Sequence, residues 1–109
     1  MDHEEIEFIE ITWTSGSIDE ARKISRLLVQ ERHVAQAQII PWIESISLLD
    51  NQLETSQESK IILKARMDSF EVIKEFIEKH SKYEIPEITW SKIEGGNRNF
   101  MEWLVASQN

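Results

Sequence analysis

Between Ala35 and Ala65 the chain shows no helical period, and this run constrains the fold more than any other feature. It reads as two strands joined by the turn-rich tripeptide Asp50-Asn51-Gln52, in which Asn51 can take the left-handed conformation. Each arm is about a dozen residues, against about five or six for an ordinary strand. A hairpin of that length outruns the core that 109 residues can build, so its far end needs a partner. Pro41 interrupts the first arm, and a proline inside a strand marks a bulge or an unpaired edge where no amide is required.

The flanking segments complete the pattern. Ile9, Ile11 and Trp13 alternate with Glu10 and Thr12 at the period of a half-buried strand, while Ile6 and Phe8 alternate in the opposite phase, which predicts a kink near Phe8 and Ile9. Gly16 ends that strand. Ser17-Ile18-Asp19-Glu20 is a capping box, opening a helix to about Arg32 whose inward stripe is Ala21, Ile24, Leu27, Leu28 and the aliphatic edge of Glu31. Asp68-Ser69-Phe70-Glu71 repeats the capping pattern before a second helix with Phe70, Ile73, Phe76 and Ile77 on its apolar face. Ile85 to Trp90 reads as a last strand, and a short helix from Asn97 points Phe100, Trp103 and Leu104 inward. The order is that of an α+β, ferredoxin-like β-α-β-β-α-β domain over residues 1–109, with a long central hairpin and a short C-terminal helix.

Composition narrows the function. Twenty acidic against 12 basic residues leave a formal charge of -8, which opposes binding to nucleic acid or to an anionic membrane. The acidic N-terminus Met1-Asp2-His3-Glu4-Glu5 lacks the basic and then apolar pattern of an export signal, so a cytoplasmic location is expected. With no cysteine there is no disulfide, thiolate metal site or cysteine nucleophile. There is no Gly-x-Ser-x-Gly elbow and no phosphate-binding glycine loop, and glycines 16, 95 and 96 read as turns; an enzyme is not expected. The histidines at 3, 33 and 80 have no mutual ligand spacing. His3 belongs to the tail, His33 suits the C-terminal end of the first helix, and His80 lies on the core-facing edge of the second.

Tyr83-Glu84-Ile85-Pro86-Glu87-Ile88, then Gly96-Asn97, Phe100 and Trp103, resembles the C-terminal signature of the CutA-type divalent-cation tolerance family. Upstream, Glu20 to Ile24, Leu27 to Val29, Glu31-Arg32, Ala35, Ile39 to Pro41, Ser45, Glu54, Glu58 and Lys64 agree in order and spacing, so the resemblance covers residues 9 to 107 without a gap. It implies a homotrimer with intertwined hairpins, linked to divalent-cation tolerance and the response to metal ions. It also implies that Lys64, Glu58, Tyr83, Glu84 and Trp103 gather near a subunit boundary, where a lysine, carboxylates and aromatic faces can bind a small anion or metal complex. Some members of the family hold copper with two consecutive histidines and a first-strand cysteine. Here those positions read His80-Ser81 and Trp13, and a cysteine common at the start of the hairpin is Gln36. His80 alone carries over, so a divalent cation such as copper is expected to bind weakly. The alternatives are a structural or partner-docking signalling trimer without a metal site, and an enzyme acting in the intersubunit cleft. The identity of any other protein partner stays open.

Overall fold

Alternation along the first strand sets up the whole molecule. In the computed structural model, which describes residues 6–108, strand β1 (Phe8–Ser15) turns Ile9, Ile11 and Trp13 to one face, where all three are fully buried. Helix α1 (Ile18–Gln30) and helix α2 (Phe70–His80) cover that face with Ala21, Ile24, Leu28, Ile73 and Ile77. The sheet is completed by β2 (Gln36–Leu49), β3 (Gln52–Arg66) and β4 (Ile88–Ile93), in the spatial order β2-β3-β1-β4 with every neighbour antiparallel. A third helix, α3 (Arg98–Ser107), follows. The ferredoxin-like β-α-β-β-α-β order with its long hairpin and C-terminal helix is therefore the observed architecture.

The hairpin follows its local chemistry. Asp50 and Asn51 have φ of 50° and 64°, the two positive values of a type I′ turn, and Gln52 is already a strand residue opposite Leu49. At Pro41 the register slips: Ile40 faces Lys60 and Ile43 faces Glu58, so Pro41 and Trp42 oppose Ser59 alone. The buried Ser59 hydroxyl donates to the Pro41 carbonyl at 2.8 Å, which fixes the bulge. Beyond it the ribbon projects from the body and draws the molecule out to 52 × 24 × 21 Å. Cross-strand pairs put Ile46 opposite Thr55 and Leu48 opposite Leu53 on one face, with Ser45 opposite Ser56 and Ser47 opposite Glu54 on the other. Leu48 is 67% and Leu53 74% exposed in the single chain.

Several sequence expectations change. No kink separates Phe8 from Ile9, since β1 pairs without a register break; both are buried because the sheet is covered on both sides at that end. Phe8 packs with Ala35 and with Leu104 of α3, together with Ile6, Ile93, Phe100, Met101 and Val105. In α1, Ser25 joins the buried stripe while Glu31 stays exposed as the C-cap; Arg32 takes a φ of 61° and the chain reverses there. The Asp68-Ser69 capping box does not form. Met67–Ser69 is a 3₁₀ turn leading straight into α2, Asp68 is held by the guanidinium of Arg66 at 2.8 Å, and the Ser69 hydroxyl accepts from Gln108. The last strand begins at Ile88 rather than Ile85, because Pro86 has no amide for the ladder and Ile85 points to solvent.

Trp103 is not inward. It is 44% exposed and stacks on Phe100 with ring centroids 5.6 Å apart, whereas Leu104 is fully buried. Leu104→Ala is accordingly expected to cost about 2–5 kcal/mol and Trp103→Ala only about 1 kcal/mol, the worth of a half-exposed aromatic pair, in urea melts. Equal losses would mean that Trp103 is enclosed by another surface in the folded protein.

Candidate functional site

The segment between α2 and β4 lies back over the start of α1 and is fastened along its length. The Lys82 amide donates to Glu20 Oε1 at 2.7 Å, and the Tyr83 hydroxyl donates to Glu58 Oε2 at 2.6 Å. At the far end the Thr14 amide donates to the Glu87 carbonyl and the Thr14 hydroxyl to its carboxylate. Glu20 holds this arrangement from below. Its amide donates to the Ser17 hydroxyl, as in a capping box, but its carboxylate accepts from Ser15 and Lys82 instead of returning to Ser17. The phenol rests on Gly16, where an added Cβ would stand 2.7 Å from the Tyr83 oxygen. This close approach, not a left-handed backbone, is why glycine suits the position.

Glu58 governs the chemistry of the phenol. The hydrogen bond to that carboxylate, then burial, then the charges of Glu58 and Glu20, push the Tyr83 pKa from 10.0 up to about 12. A raised pKa means that the fold favours the neutral phenol: its stabilisation is complete below pH 10.0 and is lost as pH rises through about 12. The chain has one tyrosine, so ultraviolet titration reads this group alone. Glu58→Gln is expected to return the midpoint toward 10.0, and an unmoved midpoint would remove Glu58 as the cause.

Lys64 lies elsewhere. Its ammonium donates to Gln38 Oε1 at 2.8 Å and Gln36 Oε1 at 3.4 Å and stands 3.9 Å from Glu10. The cross-sheet row Gln36, Lys64, Glu10 explains the contacts, since all three share the face away from α1 and α2. Lys64 and Glu58 are six residues apart on β3, about 20 Å along a strand, so one chain joins Glu58 to Tyr83 but not to Lys64. Glu84 is exposed and makes no hydrogen bond or ion pair among the described residues. Trp103 touches Phe100 rather than the Tyr83 pair.

His80 is exposed, not on a core-facing edge. Its ring stacks on Phe76 at 4.2 Å, and Nδ1 lies 2.9 Å from the Phe76 carbonyl. A proton on Nδ1 makes that contact a hydrogen bond and leaves the Nε2 lone pair outward as a possible ligand. Trp13, at the position where the resemblance implies cysteine, is sealed in the core. His33 serves the end of α1 through its amide, which donates to the Leu28 carbonyl at 2.9 Å, while its ring stands 3.7 Å from the Glu31 carboxylate. His3 lies outside the described residues. Among those described, no three His, Asp or Glu side chains are grouped so as to hold a metal ion.

Sequence reasoning did not find Ser15, Gly16, Glu20, Glu10 and Gln38 as partners of the site residues. Alternation on β2 and β3 could have placed Gln36 and Gln38 on the face of Lys64. Nothing local could have paired Glu20 with residue 82.

Four antiparallel strands in this order, backed by two helices and overhung by their hairpin, define a ferredoxin-like protein of split β-α-β type. The sequence profile of the CutA1 divalent ion tolerance proteins matches residues 9–107, and the chain belongs to that family. It is 33% identical over 91 residues to the divalent-cation tolerance protein CutA of Thermus thermophilus, covering 84% of this chain and 88% of that one. It is 30% identical over 83 residues to the chloroplastic protein CutA of Arabidopsis thaliana, covering 76% of this chain but 46% of the plant protein. The chain thus spans about half the length of that plant relative. A solved structure of the divalent cation tolerance protein from Thermus thermophilus superposes with a TM-score of 0.86 at 29% identity over 94% of this chain and 99% of that one. The crystal structure of CutA1 from Oryza sativa gives 0.89 at 25% identity over 95% of each chain.

Proposed function

We propose that the protein acts as a cytoplasmic homotrimer in divalent-cation tolerance and the response to metal ions, through a small-ligand site completed between subunits rather than through catalysis. The observation that carries this reading is the projecting ribbon, whose apolar face of Ile46, Leu48 and Leu53 is covered by nothing among the described residues. The division of the site residues supports it as well. Tyr83 and Glu58 are paired at one place and Lys64 is held by amides about 20 Å along the strand, so a second copy would have to bring them together. In that site Lys64 would supply a point charge, Tyr83 a hydrogen-bond donor, Glu84 and Glu58 carboxylates, and Trp103 an aromatic face. The cytoplasmic location rests on the sequence alone.

Metal enters this reading weakly. Cu(II) prefers imidazole or thiolate, and His80 offers one outward nitrogen with carboxylates or backbone groups of a neighbour to complete the shell. Isothermal titration of copper at moderate salt, in a His3→Ala background that removes the tail imidazole, is expected to show weak binding that His80→Ala abolishes. Tight stoichiometric binding that survives His80→Ala would refute His80 as the ligand. Native mass spectrometry with and without copper, zinc and small anions tests assembly and ligand together. A folded monomer that takes up none of them would overturn the proposal.

A further inference from the structure

We infer that residues 81–87 are a strap that opens as one unit away from the body, and that Gly16 and Glu58 hold it shut over the Tyr83 end of the site. Its two ends are firm. The Ser81 amide donates to the Ile77 carbonyl at 2.8 Å and so continues α2, while Ile88 enters the β4 ladder opposite Trp13. Between those ends nothing is buried. Ser81 and Pro86 are half-buried, the rest are exposed, and the one large aliphatic side chain of the segment, Ile85, is 88% exposed. Polar fastenings to three different elements close the strap. The Lys82 amide donates to Glu20 on α1, the Tyr83 hydroxyl donates to Glu58 on β3, and Glu87 accepts from the amide and hydroxyl of Thr14 on β1. The bonds to Glu20 and Glu58 are charge-assisted, so the closed form dominates. A segment held by hydrogen bonds with no buried apolar side chain nevertheless opens at a small part of the free energy of global unfolding.

Closure also uses up the chemistry of the site. A phenol has one proton to donate, and here it goes to Glu58. Opening frees the hydroxyl and the carboxylate together for a ligand. That use rests on the proposed function, whereas opening itself rests on the fastenings alone. Gly16 is the seat on which the strap closes. Its φ is not positive, so alanine can adopt the same backbone, but the added Cβ would stand 2.7 Å from the Tyr83 oxygen and 2.9 Å from Cζ. Gly16→Ala therefore unseats the phenol without straining the body.

Native-state hydrogen exchange of the full chain, read by nuclear magnetic resonance and corrected for intrinsic rates, tests the strap without any ligand. The Lys82 and Thr14 amides, which donate to Glu20 and to the Glu87 carbonyl, report its two ends. In the wild type both are expected to exchange about a hundredfold or more faster than the amides of the fully buried Ile9 and Ile11 on β1. Tyr83→Phe removes only the hydroxyl that Glu58 holds, and should speed Lys82 and Thr14 together by about tenfold or more while Ile9 and Ile11 stay protected. Gly16→Ala should do the same and bring the ultraviolet titration midpoint of Tyr83 from about 12 toward 10.0. Exchange of the wild-type Lys82 and Thr14 amides at the rate of Ile9 and Ile11 would overturn the strap and mean that the body or a second copy clamps the segment. A Tyr83→Phe protein that speeds Lys82 but not Thr14 would overturn it too, because the ends would then open separately. So would a Tyr83 midpoint that stays at about 12 in Gly16→Ala, since the phenol would not need its seat. None of these outcomes requires copper, zinc or an anion to bind, so the strap and the proposed function can fail separately.

Discussion

Trp13→Ala is expected to remove about 3–5 kcal/mol of stability, a large part of the margin of about 5–15 kcal/mol that holds an ordinary domain folded. Trp13 is fully buried at the centre of the sheet, with Ile61 opposite it on β3 and Ile88 on β4. Truncation therefore leaves a cavity in the core between its two neighbouring strands and the helix layer. Trp13→Phe separates volume from polarity. The indole Nε1 is buried without a hydrogen-bond partner, so phenylalanine loses part of the ring but also discards an unsatisfied donor whose burial costs about 1–3 kcal/mol. Its net loss is expected to be less than half that of alanine. Urea denaturation followed by far-ultraviolet circular dichroism compares the two, and equal losses would show that the indole is not the filler of this core.

If the protein is the proposed trimer, Leu48→Glu combined with Leu53→Glu is expected to leave it monomeric or unfolded at low micromolar concentration. The two leucines face each other across the ribbon, near its tip, and are exposed in the isolated chain, where glutamates would be harmless. Against a neighbouring subunit the same carboxylates would be stripped of water and set beside one another. That would cost several kcal/mol for each subunit and would be repeated at every copy of the interface. Sedimentation velocity of the double variant decides the matter. An unchanged trimer would show that this face stays in water, and a monomeric wild type would remove the hairpin argument altogether.

The features legible in the sequence are those whose cause lies within a few residues. Alternation of Ile9, Ile11 and Trp13, the Ser17 cap, the proline bulge and the left-handed turn at Asn51 all follow from backbone and side-chain chemistry at fixed short spacing. The resemblance extended this to the family and to a set of site residues. It could not say which of them one chain brings together, because Glu58 and Lys64 share a strand and a side chain cannot span about 20 Å.

The Asp68 box misled for a related reason: a matching four-residue pattern does not compete alone, and here Arg66 takes the aspartate while Gln108 takes the serine. Gln108 also accepts the Arg66 amide at 2.6 Å and donates to the His33 carbonyl at 2.8 Å, so a C-terminal residue closes the ends of β3 and α1. The sequence by itself determined the elements, their order and the excess length of the hairpin. Tertiary structure alone decided that α3 covers Phe8 on the second face of the sheet, that Tyr83 settles on Gly16 beside Glu58, and that Lys64 is held by glutamines. These contacts join residues tens of positions apart, and their energies depend on which surfaces the packed sheet and helices bring within reach, a condition that no local spacing encodes.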